Sequence, residues 1–236
     1  MPRETVDIIK DFVELLDFQF DITSAVDNGD GTYTLFACKT YQIQPLPNCP
    51  LVIDGIKYTV KSVDNNVSIT IAGASIPTVT HFQIPKPYYF HGTVIKTNLE
   101  LSQIKKQMDK MPLVYLLEVL VDNFNNNSEV PLDRTSDLRL FFLAPSNFSE
   151  WKTTDHYTGA ILQMRNLAYQ FISILNKSRI IDEFDDYELI NRVNFGVYVT
   201  DKGNTKRIFN EQLSGVELRI NLPINRIFDC EQSCEC

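Results

Sequence analysis

The residues best equipped for chemistry lie at the end of the chain, in "DCEQSCEC". Cys230, Cys234 and Cys236 alternate there with Asp229, Glu231 and Glu235. Thiolates at such spacing can ligate zinc or iron, or exchange disulfides. A structural zinc site takes four Cys or His ligands. Cys230 and Cys234 supply a C-x3-C pair and Cys236 a third thiolate, while His81, His91 and His156 are all distant in sequence. The set is one ligand short, so no metal is expected, with Cys230, Cys234 and Cys236 the weak candidates. The tail reads instead as a free acidic end or a contact with a neighbouring chain. Five cysteines make an odd count, and the opening "MPRETVDIIKDF" carries early charges without an apolar leader. Both argue against a disulfide framework. Cys38 and Cys49 sit in strand-like sequence and read as small buried hydrophobes.

Four further stretches carry candidate groups. "DNGDG" at 27–31 resembles a calcium loop, but Gly29 occupies a ligand place and the flanks read as strands, which favours a hairpin. Asp155 precedes His156, yet adjacency does not make an acid–base pair, and Thr153, Thr154 or Asp155 reads as a helix cap. The acidic run Asp182, Glu183, Phe184, Asp185, Asp186, Tyr187 could ligate a hard cation or be a solvated surface, and the aromatics mixed into it favour a docking surface. Tyr88, Tyr89 and Phe90 lie among prolines and are candidate interface anchors, with core packing as the alternative. No phosphate loop, nucleophile elbow, dinucleotide fingerprint or HExxH helix is present. No catalytic residue and no cofactor are therefore expected, and the chain does not read as an enzyme.

The elements that must hold these groups follow from periodicity. Val6, Ile9, Val13 and Leu16, with Phe12 beside them, mark a helix over 4–17, with Asp7, Lys10, Asp11 and Glu14 on its wet side. Residues 18–98 alternate as strands, Ile56, Tyr58 and Val60 against Lys57, Thr59 and Lys61, then Val67, Ile69 and Ile71 against Ser68 and Thr70. They read as a compact inserted β-domain, with a small barrel as one form. A short helix follows over 99–110, then a buried strand over 113–120, a polar loop, and the strand "DLRLFFLA", apolar on both faces beyond Arg139 and so central in its sheet. Tyr157, Ile161, Met164, Leu167, Ala168, Phe171, Ile172 and Leu175 place a long helix at 155–176, with Gln163, Asn166, Gln170 and Ser173 on its outer side. In "RVNFGVYVT", Val193, Phe195, Val197 and Val199 point one way; in "GVELRINLP", Val216, Leu218, Ile220 and Leu222 oppose Glu217, Arg219 and Asn221. The polar stretch between these two strands is long enough to meet a partner. The fold class is thus α+β: a helix-covered, mainly antiparallel sheet built from 1–17 and 99–236, with a small all-β domain inserted at 18–98.

Hydrophobic content of 44% over 236 residues supports a sizeable core, and no apolar run reaches membrane-spanning length. The net charge of −8 excludes a protein that grips phosphates through basic clusters.

The order of elements, with "MPLVYLLE", "DLRLFFLA", "ILQMRNLAYQFISIL" and "ELRINLPINRIFDC" in place, resembles the tail-terminator and neck (head–tail connector) ring proteins of tailed bacteriophages. The resemblance covers 1–17 and roughly 99–230; "CPLVIDGIKYTVKSVDNNVSITIAG" resembles, less closely, β-modules of phage structural proteins. It implies a non-enzymatic virion protein of the neck or tail, assembled in the bacterial cytoplasm. Its partners would be copies of itself in a hexameric or dodecameric ring, and neighbouring portal, neck and tail proteins. DNA would pass through the lumen without sequence-specific binding, and no membrane is involved. The alternatives from other classes are a ligand- or carbohydrate-binding module on the β-domain and a small Cys-ligated metalloprotein.

Overall fold

The computed structural model describes residues 3–16, 19–37, 50–64, 67–83, 86–105, 110–118, 120–125, 133–184, 186–201 and 203–225. The fold is mixed α+β with mostly antiparallel sheets.

The chain opens with α1 (Thr5–Glu14), whose Ile8, Ile9, Phe12 and Val13 are buried while Asp7, Lys10, Asp11 and Glu14 are exposed, as the helical period demands. It then builds a first antiparallel sheet from β1 (Gln19–Asp27), β2 (Thr32–Ala37), β3 (Pro50–Ile53), β4 (Ile56–Asp64), β5 (Ser68–Ala72) and β6 (His81–Gln83). The order is β3-β4-β5-β2-β1-β6, and among the described residues no pairing of β3 with β6 closes it into a barrel. Phe20, Leu35, Ile53, Tyr58, Val60, Ile69 and Ile71 form its own core. The "DNGDG" stretch is the β1–β2 hairpin turn. Gly29 and Gly31 take φ of +79° and +80°, the Asp27 carboxylate accepts from Gly29 N–H at 2.8 Å, and that of Asp30 accepts from Thr32 N–H at 2.9 Å. Ile56 and Val67 depart from the expected alternation: both stand exposed next to tight turns, while Ile69 and Ile71 are sealed.

The second sheet contains β7 (Tyr88–Gly92), β8 (Leu113–Leu117), β9 (Val121–Asn125), β10 (Asp133–Pro145), β11 (Tyr187–Phe195) and β14 (Leu213–Ile224). Its order is β11-β14-β10-β8-β7, with β9 also paired to β10. The strand β10 lies at the centre, as its two-sided apolar sequence implied. Three expectations need correction. Residues 88–92 pair in parallel with 113–117, so this segment belongs to the second sheet and not to the strands before it. The helix placed at 99–110 is α2 (Val94–Gln103), started early by Thr93, whose hydroxyl caps Lys96 N–H at 3.3 Å. The loop before β10 is shorter than its polarity suggested. Ser136 and Thr5 share the Asp122 carboxylate, and the Arg134 guanidinium donates to Arg3 C=O, so polar pairs extend β10 down to residue 133 and bring in β9.

One face of this sheet shares a core with two helical segments. Leu140, Phe142, Val216, Leu218 and Leu222 pack with Ile9, Phe12, Met164, Leu167 and Phe171, and the Phe142 and Phe171 rings lie 5.7 Å apart. The long helix is in three parts: α3 (Thr153–His156), a π-helical turn (Tyr157–Ile161) and α4 (Leu162–Leu175). A π turn holds an extra residue, which rotates the preceding segment by roughly 100° relative to an unbroken helix. Tyr157 therefore leaves the apolar stripe and is exposed, and Gln163, expected outside, is buried. The opposite face carries a second core in which Phe90, Tyr115, Phe141, Phe195 and Phe209 stack in sequence at 4.8–6.3 Å, closed by Leu101 of α2.

The expected run of Val193, Phe195, Val197 and Val199 along one strand does not form. The backbone turns through positive φ at Asn194 and Gly196, and the chain leaves the sheet as a separate hairpin, β12 (Val197–Val199) with β13 (Thr205–Arg207). Part of the presumed loop is thus strand.

Candidate functional site

The most unusual electrostatic feature lies on the face of β14 turned away from α1 and α4. Alternation sends Val216, Leu218 and Ile220 to the helical side and Glu217, Arg219 and Asn221 to the other. Glu217 lies opposite the apolar residues of its strand, as its alternation implied, yet it is 0% exposed. Arg139 and Arg219, opposite one another on β10 and β14, each donate Nε to Glu217 Oε1, at 2.7 and 2.8 Å. Arg192 on β11 donates Nε to Oε2 at 2.6 Å. Gly215, opposite Arg192, leaves no room for a Cβ, which would meet Phe142 O at 1.9 Å. Burial alone would push the Glu217 carboxyl up. The three guanidinium hydrogen bonds outweigh it and hold the group below its usual range. Arg139 also lies over the Phe141 ring, 5.7 Å from its centre.

Beside this cluster opens a groove of about 660 Å³, lined by Arg139, Arg219, Asp137, Asp186, Tyr187 and Glu188 among others. Its cations alternate with carboxylates, and Glu188 reaches Arg219 at 3.7 Å. Such alternation suits a polar contact surface and gives no concentrated pull on phosphate.

The aromatic run alternates across β7 and is partly buried throughout. The Tyr88 hydroxyl donates to Glu100 of α2, and burial together with that carboxylate pushes it up to about 12. The Tyr89 hydroxyl donates to Val6 C=O of α1 at 3.1 Å, and Phe90 stacks towards Tyr115. The three residues thus brace opposite faces of the sheet. In the acidic run, Asp182, Glu183, Asp186 and Tyr187 are exposed, whereas Phe184 turns inward onto the main core. Tyr187 begins β11. Asp185 and the three tail cysteines Cys230, Cys234 and Cys236 lie outside the described residues, as do Cys38 and Cys49. Among the described residues, no group of three or more His, Cys, Asp or Glu gathers as a metal site.

His156 is only 3% exposed, between the rings of Phe148 and Trp151. Its Nδ1 lies 3.0 Å from Ser214 Oγ, which donates to Ser146 Oγ at 3.1 Å and accepts from Asn194 N–H at 3.1 Å. With the Ser214 proton given to Ser146, Nδ1 is the donor to Ser214. The neighbouring Asp155 accepts Lys152 N–H at 2.8 Å and caps α3. The histidine and serine are thus a sealed latch between helix and sheet, inaccessible to a substrate. Sequence reasoning missed Ser214, which lies 58 residues from its partner. It also missed the Glu217 cluster. The available signal was a pair of opposite charges in each of two strands rich in apolar residues, Asp137 and Arg139 in "DLRLFF" and Glu217 and Arg219 in "GVELRI".

No family model, curated protein or solved structure matches this chain.

Proposed function

We propose that this chain is a structural subunit of the neck or tail of a tailed bacteriophage. In this reading it assembles with copies of itself into a ring that joins the portal side of the capsid to the tail and lets DNA pass. Support comes from the mainly antiparallel second sheet with helices α1 and α4 on one face, and from the first sheet, carried between α1 and β7. The observation that carries the reading is where large apolar side chains remain exposed. Ile95 and Leu99 form an outward ridge on α2 at 77% and 61% exposure, and Tyr198 and Val199 stand out on the β12–β13 hairpin at 47% and 68%. Apolar ridges on peripheral elements are what subunit contacts bury. A ring requires two different surfaces that meet head to tail and close. The net charge of −8 fits a subunit past which DNA slides without being held.

Mass photometry and cryo-electron microscopy of the purified chain, alone and with portal and neck partners, test the reading. A closed symmetric oligomer is expected. A compact monomer at every concentration and in every mixture would sink it.

A further inference from the structure

The two ends of the edge strand β11 carry opposite charge, and they point to how copies meet. Asp182, Glu183, Asp186 and Glu188 are exposed at its start. At its other end the chain leaves the sheet through Asn194 and Gly196 and forms the β12–β13 hairpin, where the described exposed charges are Lys206 and Arg207 against Asp201, an excess of cations. Tyr198 and Val199 are neighbours in one strand, so their side chains leave on opposite sides. Both are exposed, so neither side of the hairpin is fully packed on its own molecule. Among the described residues its strands pair only with each other, and its root is held by Arg207 over the Phe148 ring at 5.4 Å. A two-stranded ribbon left uncovered is marginal in water, so this arm gains stability from a surface to lie on.

That surface is not the acidic segment of its own chain. The nine residues of β11 separate the two, a span of about 30 Å at the rise of a strand. The hairpin strands have three residues each, or about 10 Å. The middle of β11 is also closed to an added strand. Arg165 from α4 donates to Leu189 C=O at 3.3 Å and to Asn191 Oδ1 at 2.9 Å, which blocks backbone pairing along that edge.

We propose that the hairpin arm of one copy docks on the acidic start of β11 in the next through the face that carries Tyr198 and its cross-strand partner Lys206, Lys206 against Asp182, Glu183 and Asp186, with Tyr198 beside Tyr187. The occupant is a second copy of this chain, chosen by charge complementarity, and the contact is heterologous. The inference rests on the ring reading above and assigns its interface.

An equimolar mixture of 14N- and 15N-labelled full-length chain is treated with a zero-length carboxyl–amine cross-linker. Peptides joining Lys206 of one isotope to Asp182, Glu183 or Asp186 of the other are expected. In parallel, mass photometry follows Lys206→Glu, Glu183→Lys with Asp186→Lys, and all three together. Each reversal should raise the concentration needed for assembly by about tenfold or more, and the combination should recover most of it. Melting curves identify a variant that merely unfolds, and the cross-link on the unsubstituted chain stands independently of them. An oligomer that forms without mixed-isotope links and tolerates both reversals overturns the contact and leaves the ring reading intact. Mixed links in an assembly that stops at two copies support the contact and overturn the ring. A chain that stays monomeric overturns both.

Discussion

Glu217 shows how one buried charge can organise a sheet face. Three arginines from three adjacent strands converge on it, and each keeps a partly exposed stem, so the carboxylate is sealed by cations that still reach water. Removing one member of such a set leaves the others uncompensated. Glu217→Gln should lower unfolding free energy by about 2–3 kcal/mol, read by urea denaturation at pH 7. Because the folded carboxyl sits below its ordinary value of 4.5, its contribution is complete above that value and is lost as pH falls through the folded value. The glutamine variant should therefore show a shallower acid limb. His156 acts in a higher window. Burial lowers its tendency to protonate, against the pull of Asp155, and burial likewise lowers His91 against the pull of Glu118. An unfolded chain takes up protons below the ordinary histidine value of 6.5 while the folded latch resists, so stability falls as pH drops from 7.5 to 5.5. His156→Gln should reduce that slope and lower stability at pH 7.5. An unchanged slope would show that the latch does not titrate as argued.

Among the elements, the helix spanning α3, the π turn and α4 departs furthest from its sequence pattern. The π turn moves Tyr157 outward and leaves Gln163 buried with an Oε1 that has no hydrogen-bond partner among the described residues. An unsatisfied buried acceptor costs about 1–3 kcal/mol. Gln163→Met, close in volume, should hold or raise the melting temperature, and a marked loss would mean that the amide is satisfied in solution. Strand alternation survived where both neighbours of a strand are present, as in β10 and β14. It failed at 193–199, where positive φ at Asn194 and Gly196 ends the edge strand. The signal for that break was in view, since "NFG" places Asn and Gly, the residues most tolerant of left-handed backbone, inside an apparent strand.

At the scale of the molecule, the two sheets have separate cores, and truncations should report on them separately. Ile71→Ala and Phe142→Ala each open a cavity in a fully buried site, at about 2–5 kcal/mol. Hydrogen exchange should show Ile71→Ala loosening β2, β4 and β5 first, and Phe142→Ala loosening β10 and β14; identical patterns would mean one cooperative unit. Duplex DNA should not be retained in a gel shift at physiological salt, since the acidic chain offers no basic stripe. The amino-acid sequence by itself determined the mixed α+β class, α1, the central place of β10 and the apolar faces of α4 and β14, because periodicity records which side of an element avoids water. Only tertiary structure decided that β7 joins the second sheet, that three arginines converge on Glu217, that Ser214 receives His156, and that a hairpin stands clear of both cores. These depend on contacts between residues far apart in the chain, and a local pattern carries no information about which distant partner satisfies a charge or a hydrogen bond.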